Sequence, residues 1–400
     1  MNSAAATATA AGTATADRQV LRPPLLRVDP LMLLLIAAIL LLGLVMVTSA
    51  SVTVAARESG DPFAYLERQL ATVAAGLVLG AVVFAIPVAL LERCALPLLL
   101  AAGALLVVVL VPGLGHTVNG SRRWLRIAGM GFQVSEATRV LVLIYIAHYC
   151  VRFETALRTS FAGLARPLGL LVLFAVLLLA EPDFGAASVL FVTGFGLLFL
   201  AGAQLHWVLV TVFAASGAGA ALVLTSGYRL RRLMTFLDPW ADPYNSGFQL
   251  TQSLIAIGRG EWFGVGLGAS VQKLFYLPEA HNDFLFAVLA EELGLVGVVA
   301  TLLLFLALAW RVFQLARRAS DAGLKFHSYL AAGFGIWLLV QAFVNIGVNM
   351  GALPTKGLTL PLMSYGRSSM LVSLAWLGLI LRVHHEVAGG ARERARGSYT

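Results

Sequence analysis

The sequence predicts an all-α polytopic membrane protein of about ten transmembrane helices with one large ordered loop on its outer face. Composition and the arrangement of apolar residues carry that prediction. Of 400 residues, 59% are hydrophobic and only 12% charged, whereas charged residues make up about a quarter of a water-soluble domain. The apolar residues also fall into runs close to the roughly 20 residues that cross a bilayer. The formal net charge of +8 would suggest a nucleic-acid partner in a soluble protein. Here basic loops on the cytoplasmic side account for it. Cys94 and Cys150 lie at or near apolar runs without metal-like spacing, which favours two buried free thiols over a disulfide framework or a zinc site.

Residues 1–28 open on an Ala/Thr tract and are expected to form a disordered cytoplasmic tail. The first apolar run starts at Leu31, too late and too long for a cleaved signal peptide. The spans are expected near 31–52, 66–86, 94–112, 136–152, 165–181, 184–202, 206–225, 284–311, 329–350 and 366–383. Only Glu181-Pro182-Asp183 separates the fifth from the sixth, which implies a tight turn. Residues 29–385 thus form one membrane domain, with 226–283 as its large outer loop and 386–400 as a second cytoplasmic tail.

Orientation follows from the basic residues. Arg18, Arg22, Arg27, Arg93, Arg152, Arg158, Arg166, Arg311, Arg317, Arg318 and Lys325 all fall on one side, which the positive-inside bias makes cytoplasmic. An even span count then puts both termini inside. Two outer segments break the bias. The loop after the third span carries Arg122, Arg123 and Arg126 beside Trp124, and the long segment carries Arg229, Arg231 and Arg232. Strongly anchored loops can tolerate such cations, but we favour an anion site suited to a phosphate or pyrophosphate headgroup. Trp124 would add an interfacial anchor or a ring on which a sugar stacks. The long segment has turn signals at Asp238-Pro239, Asp242-Pro243 and Asn245-Ser246-Gly247, and Phe248 to Ile257 reads as a short helix. Its glycines at 258, 260, 264, 266 and 268 suit close backbone packing better than a phosphate-cradling loop.

The stretch Tyr276–Gly294, YLPEAHNDFLFAVLAEELG, organises the rest. Carboxylates at the mouth and inside of an apolar run are costly and need a reason. Asp283 lies at the outer edge, where it can act as a base or cap the N-terminus of span eight. Glu291 and Glu292 lie about two and a half turns deeper, a depth suited to internal pairing. The expected partner is Arg139, which would hold span eight against span four. Glu136 and Arg139 at i,i+3 also suit each other. Gln341, Asn345 and Asn349 are spaced four apart and share one helical face, as inter-helix hydrogen bonding or a polar groove lining. Lys356 is a further outer cation.

The motifs GLVMVTSAS (43–51), VNGSRRW (118–124), LPEAHNDFLFAVLAEELG (277–294) and GALPTKGLTLPLMSYG (351–366) resemble those of the SEDS family (shape, elongation, division and sporulation). LPTKGLTLP together with LPEAH is closer to its cell-division branch than to its elongation branch. The resemblance covers nearly the whole chain after residue 28. The family's QPSE is Gln133-Val134-Ser135-Glu136 here, its following Lys is Arg139, and its SYGGSS reads Ser364-Tyr365-Gly366-Arg367-Ser368-Ser369.

What the resemblance implies is septal peptidoglycan synthesis: an inverting glycosyltransferase that polymerises lipid II outside the bacterial cytoplasmic membrane. The implied partners are a class B penicillin-binding protein transpeptidase and other divisome membrane proteins. The family's essential aspartate falls on Asp283. Such a transfer needs one base for the sugar hydroxyl and cations for the departing pyrophosphate. Arg122, Arg123, Trp124, Arg126, Lys356, Glu279, His281 and Ser364 are the expected substrate contacts. Glu136, Arg139, Glu291, Glu292, Asn345 and Asn349 are expected to be structural. A divalent cation bridging the pyrophosphate is compatible with the sequence, but no ligand cluster demands one. A lipid II flippase using the buried charges as a path, and a scaffold without activity, are the alternatives.

Overall fold

The structure is a computed structural model that describes residues 28–118, 121–127 and 130–397. The tail expected over 1–28 lies almost wholly outside the described residues. The ten expected spans all appear as apolar helices: α1 (Pro30–Ser59), α2 (Ala64–Ala85), α4 (Ala95–Leu110), α5 (Val134–Arg152), α7 (Phe161–Ala180), α8 (Phe184–Leu200), α9 (Leu205–Leu224), α12 (Leu285–Asp321), α13 (Lys325–Asn349) and α14 (Arg367–Gly397). Among the described residues eight of these are long and apolar enough to cross a membrane, and α4 and α8 are shorter. Short helices α3 (Val88–Arg93) and α6 (Glu154–Thr159) join spans, and α10 (Gly227–Leu237) and α11 (Phe248–Gly260) lie between α9 and α12.

Local chemistry sets several of these boundaries. The Asp29 side chain accepts from Leu31 N at 3.0 Å and Met32 N at 3.2 Å, satisfying amides that a helix start leaves without partners. Gly60 ends α1 with φ 74°, a left-handed conformation that glycine adopts at little cost. Ser160 and Asp183 cap α7 and α8 through Gly163 N and Ala186 N. The last helix runs on to Gly397 instead of stopping near 385, because Ala391–Arg396 consists of strong helix formers.

The core lies where α12 and α13 meet, with α1, α5, α8 and α11 packed around them, and α2 pairs closely with α14. The α2–α14 pair is close because both helices present glycine. A Cβ on Gly378 would sit 2.1 Å from the Gly80 carbonyl oxygen, so the backbones touch in the manner of small-residue membrane interfaces. α9 stands at the periphery with Phe213, Leu209 and Leu224 exposed.

The segment expected as a loop after span three is an antiparallel sheet of β1 (Gly115–Val118), β2 (Ser121–Ile127) and β3 (Met130–Gln133), in the order β1-β2-β3. An all-α description therefore omits a small β-element. The sequence pair Asn119-Gly120 between β1 and β2 is the strongest short hairpin signal.

The segment after α11 is not a free loop. Gly294, with φ 63° and ψ −163°, breaks α12, and backbone groups released by the break are paired. Val265 N and Gly266 N donate to the carbonyls of Glu291 (2.9 Å) and Glu292 (3.1 Å). Leu295 N and Val296 N donate to Glu261 O (2.9 Å) and Trp262 O (3.1 Å). Residues 261–266 thus dock alongside the helix about 13 Å below its start, with their backbone groups paired while the Trp262 and Phe263 side chains stay exposed. A Cβ at Gly294 would lie 2.3 Å from Gly264 N.

This docking corrects the expected partner of the deep glutamates. Lys273 Nζ donates to Glu292 Oε1 at 2.8 Å, to Ser49 Oγ at 3.0 Å and to Gly268 O at 2.7 Å. Glu291 accepts from Ser270 Oγ and from Val271 N, and Arg259 lies 3.6 Å away. Arg139 is instead held by Glu136 on its own helix and by Gln341 Oε1 at 2.8 Å. The two glutamates therefore bind α12 to α1 and to the docked segment, not to α5. Removing one partner of a buried pair costs about 3–5 kcal/mol, whereas replacing both can be nearly neutral. Lys273→Met is expected to lower the thermal midpoint in detergent sharply, and Lys273→Met/Glu292→Leu to recover most of it. Equal loss in both variants would contradict this assignment.

Candidate active site

Asp283 sits immediately before α12. The N-cap of that helix is Phe284, with no side-chain capping bond, so the carboxylate does not serve the helix as a cap. The Asp283 main chain is held instead. Its carbonyl accepts from Asn345 Nδ2 at 2.9 Å and from Asn349 Nδ2 at 3.0 Å. Asn345 Nδ2 also donates to Leu358 O at 2.6 Å, which draws the loop between α13 and α14 against the same spot. A Cβ built on Gly357 would lie 3.1 Å from Asp283 Oδ2, so glycine there leaves the carboxylate its room.

Burial is the main cause that pushes the Asp283 carboxyl up to about 7, and Glu279 adds to it. Arg123 and Arg232 pull in the opposite direction. A carboxyl poised near neutrality suits a proton acceptor working at physiological pH.

Strand alternation divides the cations of β2 between its faces. Arg123 lies 3.7 Å from Asp183 Oδ2 and contributes to the field at Asp283. On the alternate register, Arg122 Nη1 donates to Leu110 O at 3.2 Å, and Arg126 is exposed. Trp124 pairs with His116 and Gln133 across the sheet, and its buried Nε1 lacks a hydrogen-bond partner. Lys356 Nζ stands 3.8 Å from the ring centroid of Phe184 at the start of α8. Arg232 of α10 donates to Thr355 O at 3.1 Å. It was grouped in the sequence only with other outer cations, although the short amphipathic run YRLRRLMTFL is the signal that could have found it.

A buried polar group underlies Arg123. Asp183 accepts from Ser135 Oγ at 3.1 Å and Gln133 Nε2 at 3.2 Å, and Gln133 N donates to Ser368 Oγ at 2.8 Å. Burial, and then Asp183, push the Glu181 carboxyl up to about 8. Glu136 is buried with Arg139 beside this group, and Gln341 Nε2 reaches Thr359 O at 3.1 Å. Among the described residues no group of three His, Cys, Asp or Glu is placed to hold a metal ion.

On the other flank His281 packs edge-on to Tyr65 (ring centroids 4.8 Å apart) and against Tyr365 (5.5 Å), and burial pushes its imidazole below its usual range. Ser364 is inside the loop, where its Oγ accepts from Leu360 N at 3.0 Å. Glu279 is exposed, at φ 56°. The structure thus places Arg123 and Glu279 of the sequence-predicted set where their charges act on Asp283 and adds Arg232 and Gly357, while Lys356 lies over Phe184 and His281 against Tyr65 and Tyr365. Arg126 stands apart, and Arg122 and Ser364 serve main-chain groups. One proton acceptor under the fields of cations on two separate elements can take a proton from a hydroxyl while stabilising an anion that departs nearby.

Comparison with known proteins agrees with the motifs. Residues 29–389 match the family described as Cell cycle protein, spanning FtsW, RodA and SpoVE. The chain is 58% identical over 360 residues to the probable peptidoglycan glycosyltransferase FtsW of Thioalkalivibrio sulfidiphilus, covering 90% of each. It is 52% identical to that of Methylococcus capsulatus over 359 residues, again 90% of each. Among solved structures, it resembles a chain of a peptidoglycan synthase complex that coordinates polymerization and crosslinking. That match has a TM-score of 0.75 and 34% identity, and covers 90% of this chain and 99% of that one. The rod shape determining protein RodA of Thermus thermophilus aligns with a TM-score of 0.67 and 32% identity, over 91% and 99% of the two chains. These matches cover 90% or more of both chains, and the chain belongs to the FtsW/RodA/SpoVE cell cycle protein family, the SEDS family.

Proposed function

We propose that this chain is a peptidoglycan glycosyltransferase that polymerises lipid II into glycan strands for septal wall synthesis, with Asp283 as its general base. The observation that carries the reading is the placement of Asp283: a half-buried carboxyl near neutrality, at the start of a membrane helix, under the fields of Arg123 and Arg232. In the transfer, Asp283 takes the proton of the acceptor sugar hydroxyl. The freed oxygen attacks the anomeric carbon of the donor from the face opposite its pyrophosphate. The bond from that carbon to the pyrophosphate oxygen breaks, and the lipid-linked pyrophosphate leaves with the electron pair. Arg123, Arg232 and Lys356 stabilise its developing charge.

The same reading supplies the setting. The chain lies in the bacterial cytoplasmic membrane at the division septum, with both termini in the cytoplasm and the Asp283 end outside. A class B penicillin-binding protein crosslinks the strands it makes. The likeness to a chain of a synthase complex supports that pairing, and α12 and α13, next to the site, are the proposed contact surface.

The test is reconstitution of the full chain with its transpeptidase partner on labelled lipid II. Asp283→Ala is expected to abolish polymer while the protein remains folded, and wild-type polymer from that variant would remove the base. Lipid translocation that survives Asp283→Ala but is lost in Glu291→Gln would favour a flippase. Gly357→Ala presses on the Asp283 carboxylate, and displacement of a reacting group by a fraction of an ångström to 1 Å can cost up to about 100-fold. Its kcat is expected to fall with little change in KM for lipid II, and an unchanged kcat would mean the carboxylate is not confined there.

A further inference from the structure

We propose that Asn345 and Asn349 are positioning residues for glycosyl transfer, using the side-chain amides of α13 to fix Asp283 and the Lys356 loop relative to each other. This inference rests on the reading of Asp283 as the base and names what keeps it in place.

Both side-chain amides converge on a single acceptor, the Asp283 carbonyl, at 2.9 and 3.0 Å. Each asparagine then makes a second contact that ties another segment to the same point. Asn345 Nδ2 donates to Leu358 O at 2.6 Å, two residues after Lys356. Asn349 Oδ1 accepts from Ala287 N at 3.1 Å, satisfying an amide in the first turn of α12. Asn349 also donates to the carbonyl of Asn345, one turn earlier, at 2.8 Å, which orients the two amides together. Both residues are buried, at 2% and 0% exposure, and each Nδ2 exchanges water for two carbonyl oxygens, while Asn345 Oδ1 is left without a partner.

One turn further along the same face, Gln341 repeats the pattern. It accepts from Arg139 and donates to Thr359 O. The loop between α13 and α14 is therefore fixed by successive amides at Leu358 and Thr359, with Gly357 directly before them against the Asp283 carboxylate. Ordinary inter-helix hydrogen bonding would join helix to helix. Besides helix-to-helix bonds to Ala287 and Arg139, these amides join α13 to two non-helical segments, and those segments carry the proposed base and one of the proposed cations. A side chain that holds the backbone of a catalytic group affects the rate through geometry, without touching the substrate.

The experiment compares Asn345→Leu and Asn349→Leu, near-isosteric changes that delete the amides, with Thr301→Val, a buried polar change elsewhere on α12. Full-length proteins are reconstituted with the transpeptidase partner, and kcat, KM for lipid II and the thermal midpoint are read for each. The expected result is a fall in kcat of about tenfold to 100-fold in both asparagine variants. KM should stay within about twofold, as for an interaction that matters to the transition state and not to ground-state binding. Thermal midpoints should match that of Thr301→Val, which should keep wild-type kcat. Unchanged kcat in both variants would overturn the proposal. So would a parallel fall of kcat and thermal midpoint, or failure of both variants to fold, since either outcome would assign the amides to the fold alone. Asp283→Ala measured alongside separates this result from the parent reading. Active Asp283→Ala removes the base itself, whereas inactive Asp283→Ala with full activity in the asparagine variants removes only the positioning role.

Discussion

Peptide groups inside a bilayer cannot be left unpaired, and α12 meets that constraint at its break. At Gly294 the helix releases carbonyls and amides, and residues 261–266 pair with those of Glu291, Glu292, Leu295 and Val296. Each unmet group in hydrocarbon costs several kcal/mol, so this pairing determines where the segment after α11 can lie. Lys273 then locks the segment to Glu292 and to Ser49 of α1. Only nine residues lie between Lys273 and Asp283, and Asp283 itself is held by the amides of α13. The chain leading to Asp283 is thus fixed at both ends before any substrate arrives.

The charges fall into two chemical groups. Arg139 with Glu136 and Lys273 with Glu292 are buried pairs whose partners are close, and Arg139 and Lys273 each donate to a further acceptor. They hold helices together. Asp283 lies near cations without being neutralised by any of them, and burial raises its carboxyl. A base that must accept and later release a proton benefits from that intermediate state, which a tight ion pair would destroy.

Much of this was legible in the sequence. Ten apolar runs gave ten helices because membrane spans announce themselves through length and composition. Asp283 stands out because a carboxylate at the mouth of such a run needs a reason, but the residues alone leave base and helix cap open, and the family resemblance is what favours the base. The amide spacing of Gln341, Asn345 and Asn349 correctly placed them on one face. Other features depended on distant pairings. The partner of Glu292 is Lys273, which lies in a segment that reads as loop until it docks, so Arg139 looked the better match. Arg232 reaches the site only because α10 turns back over Thr355. The β-sheet is hidden in a chain dominated by helical signals, although the Asn119-Gly120 pair points to it.

The central claim concerns the protonation of one carboxyl, and the pH dependence of polymerisation tests it most directly. As the proposed base Asp283 works deprotonated, so kcat/KM should rise with pH through an inflection near 7. Arg232 lowers that value, so Arg232→Ala should move the inflection upward even as it weakens the rate. A flat profile between pH 6 and 8, or an inflection that stays in place when Arg232 is removed, would contradict the account.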